Sequence, residues 1–128
     1  MVVSHADPTQ TGRSVRFVLR LEGGALFAIS LLLFLRLNVP GWIFPVFLLV
    51  PDIGMLGYLA GPRVGAMVYN VCHTVALPIA VGAAGIVIPS QPLLAAALIW
   101  GAHIGMDHAA GFGLKYADRF SHTHLQEV

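Results

Sequence analysis

Charge is what this sequence has least of. Of its 128 residues, 10% are charged and 57% are hydrophobic, whereas a soluble domain usually carries about 25% charged residues. Five acidic or basic side chains fall between Leu21 and Leu114, too few to keep a surface of that size in water. The composition therefore excludes an ordinary soluble globule and a disordered tail, and it indicates a small integral membrane protein.

The sequence also contains little cysteine and has a net charge close to zero. Cys72 is the one cysteine, so the chain has neither an internal disulfide nor a cysteine-built zinc finger. The formal net charge is +1, which provides no basic surface for phosphate groups. These two absences exclude a disulfide scaffold and a nucleic-acid partner.

Four apolar stretches are long enough, or nearly so, to cross a bilayer, whose core needs about 20 residues per helix. They cover about residues 17–37, 42–60, 64–88 and 92–114, and short turn segments with proline separate them. Loops this short force neighbouring helices to run antiparallel. The sequence thus predicts an all-α fold, an integral membrane antiparallel four-helix bundle at 13–116, with a flexible polar N-terminus at 1–12 and a cytoplasmic C-terminal tail at 117–128.

The basic residues predict the orientation of this bundle. With four crossings, both termini and the second loop share one side of the membrane. That side collects six of the seven lysine and arginine residues, namely Arg13, Arg16, Arg20, Arg63, Lys115 and Arg119, and leaves Arg36 on the other. Because basic loops stay in the cytoplasm, we expect both termini to be cytoplasmic and the protein to lie in the cytoplasmic (inner) membrane.

Polar side chains inside the apolar stretches lie at similar predicted depths. A rise of about 1.5 Å per residue, counted from the cytoplasmic end of each helix, gives roughly 8 Å for Glu22, 12 Å for Asp52, 9 Å for Asn70, 14 Å for His73, 11 Å for Asp107 and 17 Å for His103. His103 and Asp107 are four residues apart, and Asn70 and His73 are three apart, so each pair shares a helix face. The pattern predicts a common polar site in the cytoplasmic half of the membrane.

Two interpretations of these polar residues remain open. A single intramembrane histidine or asparagine often serves as a hydrogen bond between helices, contributing about 0.6 kcal/mol. Two aspartates in the bilayer core, however, cost on the order of 2.5–3.5 kcal/mol each, and here they accompany two histidines. The combination favours a functional site over a structural network.

The histidines and carboxylates together predict a metal site, because this ligand set suits zinc, iron or manganese. His73, His103 and Asp107 are the candidate ligands, with Asp52 as a fourth ligand or as the general base. A divalent ion held in this way makes water acidic enough to attack an ester or amide near neutral pH. The sequence thus predicts a metal-dependent intramembrane hydrolase of a lipid-like ester or amide, with membrane lipids as its partners.

Three further residues are assigned supporting roles. Asn70 and Glu22 are expected to orient the metal ligands, and Glu22 joins Asp52 as a candidate catalytic carboxylate. His124, in the tail, is expected either to remain at the surface or to fold back over the site as a catalytic proton carrier or a further ligand.

Other functions fit the same residues. Buried carboxylates and histidines relay protons or hold a cation in a carrier, and a chain this small needs a homo-oligomer for a transport path. Alternatively, the polar core sets helix register in a non-enzymatic accessory subunit with a partner in a membrane complex. Two histidines on facing helices, as His73 and His103 are predicted to be, also ligate haem within four-helix bundles, although carboxylates fit poorly beside an apolar porphyrin. Catalysis by Cys72 is not expected, because a thiol in lipid surroundings stays protonated.

Five segments of the chain form a recognisable set of motifs. They are Leu-Arg-Leu-Glu-Gly at 19–23, Pro-Asp-Ile-Gly-Met-Leu-Gly-Tyr at 51–58, Gly-Ala at 65–66 with Tyr-Asn-Val-Cys-His-Thr at 69–74, Leu-Ile-Trp-Gly-Ala-His-Ile-Gly-Met-Asp at 98–107, and Gly-Leu-Lys-Tyr at 113–116 with Thr-His-Leu at 123–125. In this order they resemble the domain-of-unknown-function 4260 family, over about residues 16–125. The resemblance implies a small bacterial four-helix membrane protein, and it does not imply any activity. Its motif positions include Glu22, Asp52, Asn70, His73, His103, Asp107 and His124.

A looser similarity connects the predicted site with membrane hydrolases of the alkaline ceramidase type. Those proteins also combine histidine and aspartate on neighbouring helices near one membrane face to hold zinc, although they have more helices and a His-x-x-x-His pair. Here the fourth helix offers His103 and Asp107 at the same spacing. The similarity is an analogy between sites, so the prediction of hydrolysis depends on the residues themselves.

Overall fold

The computed structural model describes the backbone of residues 8–112 and the side chains of residues 12–112, and this part of the chain contains helices and turns and no strand. The helices are α1 (Pro8–Phe34), α2 (Ile43–Phe47), a 3₁₀ helix (Val50–Ala60), α3 (Pro62–His73), α4 (Ala76–Val87) and α5 (Gln91–Ala110). α2 and the 3₁₀ helix follow one another along the chain, and we call this pair the second rod. α3 and α4 likewise follow one another and form the third rod, α1 being the first. The predicted all-α fold is confirmed.

Three stretches are long and apolar enough to cross a membrane, namely Gly12–Phe34, Ile43–Ala60 and Pro62–Val87. Many of their large apolar side chains are exposed, as lipid-facing side chains are. α5 is different: it has 20 residues, but His103 and Ile104 in its second half are completely buried. A helix enclosed by protein does not need an apolar surface on every side, so α5 accommodates His103 and Asp107 in its second half.

Two prolines determine where the second and third rods break. A proline has no N–H, and its ring collides with the carbonyl four residues earlier. Phe47, the last residue of α2, lies four residues before Pro51. Thr74, which lies four residues before Pro78, is extended (φ −79°, ψ 134°) and separates α3 from α4. The breaks therefore follow from the sequence, and they fall at the depth predicted for the polar site.

The observed helix ends differ from the predicted ones. α1 begins at Pro8, since proline suits the first position of a helix, so residues 8–12 are helical rather than part of a flexible N-terminus. The stretches predicted as continuous over 42–60 and 64–88 are each divided at a proline-induced break. α5 ends at Ala110 instead of continuing to 114, because Gly111 adopts a left-handed conformation (φ 97°) and closes the helix.

α1 and α5 pack antiparallel with their backbones in direct contact. Arg20, early in α1, donates from Nε to the carbonyl of Ala109 in the last turn of α5 (2.8 Å), where a cation suits the helix dipole. A Cβ added to Gly105 would lie 2.6 Å from the Gly23 carbonyl oxygen. Larger residues at 23 and 105 would separate the helices, so these glycines determine how deeply α5 sits in the bundle.

The apolar core lies at the other end of the α1–α5 pair. Phe34 and Phe44 meet edge to face with ring centroids 5.1 Å apart, and they pack on Ala95, Ile99 and Ala102. This core uses α5 from Ala95 to Ala102. The second half of the same helix, together with the 3₁₀ helix and α3, forms the polar centre described next.

Candidate metal centre

Four side chains from three elements meet at one point. Asp52 comes from the 3₁₀ helix, His73 from the end of α3, and His103 and Asp107 from α5. The proline-induced breaks place the first two, since Asp52 directly follows Pro51 and His73 is the last residue before the break at position 74. The four-residue spacing on α5 places the other two on one helix face.

The ligand atoms of these side chains form a small, nearly regular cluster. The Nε2 atoms of His73 and His103 are 3.0 Å apart. Oδ1 of Asp52 lies 3.4 Å from Nε2 of His73 and 3.1 Å from Nε2 of His103. Oδ2 of Asp107 lies 3.3 and 3.2 Å from the same two nitrogens. All four atoms are within 4.8 Å of one another.

Five of the six separations are close to those of ligand atoms around a tetrahedral divalent ion, and the sixth, between the two carboxylates, is within 4.8 Å. Metal–ligand bonds of about 2.0–2.1 Å place the ligand atoms about 3.3–3.4 Å apart, and the five distances here run from 3.0 to 3.4 Å. Two imidazole nitrogens and two carboxylate oxygens also suit zinc, iron or manganese chemically. The centre could therefore hold one divalent ion.

The hydrogen bond of His73 determines which of its nitrogens faces the cluster as a ligand. Its Nδ1 lies 2.9 Å from the backbone carbonyl oxygen of Tyr69. A carbonyl accepts hydrogen bonds and does not donate them, so Nδ1 carries the hydrogen. In the neutral ring Nε2 then presents its lone pair to the cluster, which is the arrangement that metal-binding histidines use.

The ring of His103 lies beside the backbone of the second rod. Its Nδ1 is buried without a hydrogen bond of ordinary geometry, and the backbone of Leu48 interacts with the ring. Pro51 has no N–H to offer the Leu48 carbonyl, and the N–H of Asp52 donates to Leu49 instead (3.0 Å). The break at Pro51 thus leaves a backbone carbonyl available beside the second imidazole.

The centre is closed on the histidine side and open on the aspartate side. The two histidine side chains are 0% and 4% exposed, whereas those of Asp107 and Asp52 are 18% and 34% exposed. Asp52 belongs to an open groove of about 520 Å³, whose walls include Leu56, Tyr58 and Leu59. Asp52 therefore lies on the accessible side of the cluster.

Tyr69 is a residue of this centre that the sequence analysis did not identify. It is 2% exposed, and its ring stacks on His73 with centroids 3.7 Å apart and an interplanar angle of 12°. Its carbonyl accepts from His73, and its hydroxyl is hydrogen-bonded to Asp107. The available signal was its position four residues before His73, which places both side chains on one face of α3.

The other predicted site residues are not among the ligand atoms of this centre. Glu22 is exposed on α1, because its neighbour Gly23 faces α5, so the geometry does not support a role for Glu22 as a catalytic or orienting residue. Asn70 is half-buried on α3, and its orienting role stays a prediction. His108, adjacent to Asp107, turns its Cβ towards Gly23. His124 lies outside the described residues.

Haem does not fit this geometry. Two axial histidines bind the iron from opposite faces of a porphyrin, which requires room for the macrocycle between their nitrogens. Here His73 and His103 approach to 3.0 Å, and two carboxylates occupy the remaining sides. The arrangement favours a single ion over a prosthetic group.

Comparison with known proteins gives a family and no activity. No curated protein and no solved structure matches this chain. The family model described as "Domain of unknown function (DUF4260)" matches residues 16–128, which includes all four residues of the centre. The chain therefore belongs to the DUF4260 family.

Proposed function

We propose that the protein is a metal-dependent hydrolase of the cytoplasmic membrane that cleaves an ester or amide bond of a lipid-like substrate. The observation that supports this most is the set of four ligand atoms within 4.8 Å of one another, from residues on three separate elements. In this proposal both termini are cytoplasmic, and the centre serves the cytoplasmic half of the bilayer.

His73, His103 and Asp107 would hold the ion, since they are the more buried members of the cluster. Zinc takes four such ligands in a tetrahedral arrangement, and iron and manganese use the same ligand types. When bound, such an ion supplies a Lewis acid that polarises an ester or amide carbonyl and acidifies water. Oδ1 of Asp52 lies at the fourth corner of the cluster, and in this proposal it would yield that corner to water or substrate, since catalytic zinc sites keep one position open.

Asp52 is the general base in this proposal. It is the most exposed of the four side chains, at 34%, and it faces the groove through which a substrate would arrive. Its Oδ1 lies 3.1 Å from His103 Nε2, so the carboxylate stays beside the ion while its other oxygen is able to take a proton from water. The same carboxyl group then returns that proton to the leaving alcohol or amine.

Metal analysis of protein purified in a mild detergent tests the proposal directly. We expect about one zinc, iron or manganese ion per chain, together with hydrolysis of a long-chain ester or amide. Dialysis against a chelator should remove both, and added zinc should restore both. A protein that binds no divalent metal under any loading condition would exclude this function.

A non-enzymatic membrane protein is the competing function. The same four side chains also form a hydrogen-bonded network that joins the second and third rods to α5, as a carrier or an accessory subunit with a structural polar core would need. Such a protein would lose folding or assembly, rather than turnover, when its cluster is altered.

Replacing Tyr69 with phenylalanine should weaken metal binding without unfolding the protein. The variant keeps the ring that stacks on His73 and loses the hydroxyl that is hydrogen-bonded to Asp107. Loss of one hydrogen bond to a metal ligand typically lowers metal affinity about 10–100-fold. Competition with a chromophoric chelator measures the affinity. Tyr69→Leu, which also removes the stacked ring, should weaken binding further, and equal affinity in wild type and Tyr69→Phe would contradict the role given to the hydroxyl.

A further inference from the structure

A second cavity lies against the same segment of the second rod as the metal centre. This acyl cleft, as we call it, has a volume of about 570 Å³ and lies between the second rod, α3 and α5. Its walls include Phe47 and Val50 from the second rod, Val68 and Cys72 from α3, and Ala96 and Trp100 from α5. Ile53, next to Asp52 in the chain, lines both the acyl cleft and the groove at the metal centre.

The acyl cleft is apolar throughout. None of its lining residues carries a charge, and the indole N–H of Trp100 donates to the backbone carbonyl of Cys72. That hydrogen bond holds the Trp100 ring in place and satisfies its polar atom. A polar ligand would find nothing to bind in this space, whereas a hydrocarbon chain would.

Along the second rod, the more polar cavity and the apolar cavity follow one another in the same order as the polar part and the chain of a lipid in a membrane. The groove extends from Leu49 past Asp52 to Leu59 and contains the polar side chains of Asp52 and Tyr58, and its Leu59 end lies beside Ala60, where the span reaches a membrane surface. The acyl cleft extends towards Phe47, in the other direction along the same span and therefore towards the bilayer interior. A lipid likewise places its polar part at the surface and its chain in the interior.

We propose that the acyl cleft holds a single acyl chain of a membrane lipid, with the ester or amide of that lipid lying in the groove beside Asp52. Cleavage of the bound lipid rests on the proposed function, whereas binding of the chain does not. A chain in the bilayer is already out of water, so the cleft adds no hydrophobic free energy. Its contribution is position, because a held chain brings the scissile bond to the metal centre.

Fluorescence of Trp100 tests chain binding independently of metal and of turnover. Trp42 is 62% exposed, so Trp42→Phe leaves Trp100 as the one tryptophan in the sequence. We expect a lysophosphatidylcholine whose acyl chain carries bromine near its middle to quench this fluorescence saturably in detergent. The unbrominated lipid should reverse the quenching, and glycerophosphocholine, which has the headgroup without a chain, should not.

Two alanine-to-phenylalanine variants test the acyl cleft, one that fills it and one control that does not. Ala96 is exposed on α5 and lines the cleft, so Ala96→Phe should occupy it without disturbing buried packing. Ala83 is exposed on α4 and does not line it, so Ala83→Phe is the control. We expect Ala96→Phe to abolish the saturable quenching and to lower kcat/KM for a long-chain substrate about tenfold or more. Metal content and cleavage of a short-chain ester should stay unchanged in both variants.

The outcomes separate this inference from the proposed function. Hydrolysis without saturable quenching, or equal quenching in the Ala96→Phe and Ala83→Phe proteins, would overturn the acyl cleft and leave the hydrolase intact. Saturable quenching in a protein that binds no metal would support the cleft and refute the hydrolase. Dimerisation that Ala96→Phe disrupts, with no quenching in wild type, would assign the surface to a second copy of the chain and overturn the inference.

Discussion

His103→Ala should abolish stoichiometric metal binding and, with it, hydrolysis. The side chain is fully buried, and its Nε2 lies 3.0–3.2 Å from a ligand atom of each of the other three residues. Removal of a group that only supports a ligand lowers metal affinity about 10–100-fold, so loss of a ligand itself should exceed that range. Mass spectrometry of the metal content and chelator competition measure the effect.

His108→Ala is the matched control for this experiment. His108 is also a histidine of α5, close to the same end of the helix, but its Cβ faces Gly23 of α1. This variant should keep the metal and the activity of the wild type. Equal metal loss in both variants would show that histidine content, and not the cluster, determines metal binding. Full metal occupancy in His103→Ala would contradict the ligand set proposed for this centre.

Asp52→Asn should nearly eliminate turnover while the protein keeps its metal. The substitution preserves the size of the side chain and removes its ability to act as a base, which typically lowers the rate about 10²–10⁴-fold. Metal should remain because His73, His103 and Asp107 still provide three ligands. The measurements are kcat for a lipid-like ester or amide and the metal content of the same preparation.

Asp107→Asn provides the comparison, because it applies the same chemical change to the less exposed carboxylate. Asp107 contacts both histidines, at 3.2 and 3.3 Å, so we expect this variant to lose metal as well as turnover. Thermal unfolding in detergent distinguishes these outcomes from a structural role. If Asp52→Asn lowers the unfolding temperature, and activity falls only because the protein unfolds, the polar core holds the helices together. The non-enzymatic function is then favoured.

Much of the fold was predictable because it depends on local physics. The length of the apolar stretches predicts helices that can cross a membrane, and the structure has three of them, with α5 as a fourth helix. The common depth of the polar residues along their helices was predictable too, because a regular helix rises by a constant distance per residue. For Asp52 the 3₁₀ rise of about 2.0 Å per residue changes the depth from about 12 Å to about 16 Å, which brings it closer to the predicted depth of His103.

The candidate site was predictable in its four main residues, and less so in the residues around them. Asp52, His73, His103 and Asp107 were identified because histidine and aspartate are rare in apolar helices and so are conspicuous in the sequence. Tyr69 was missed because a tyrosine in such a helix is ordinary. Its role appears when the same side chain is seen to stack on one member of the cluster and to hydrogen-bond another.

The sequence by itself determined that the chain is helical, that it has membrane-spanning stretches, and where prolines break them, although two of those stretches were predicted as continuous. All three follow from interactions within a few residues, such as the collision of Pro51 with the turn before it. Only the tertiary structure decided which helix faces meet. It turned Glu22 outwards, because the contact of Gly23 with Gly105 sets the rotation of α1 against α5, and it separately brought His73 of α3 to within 3.0 Å of His103 of α5. Such contacts join distant parts of the chain, so no local sequence pattern predicts them.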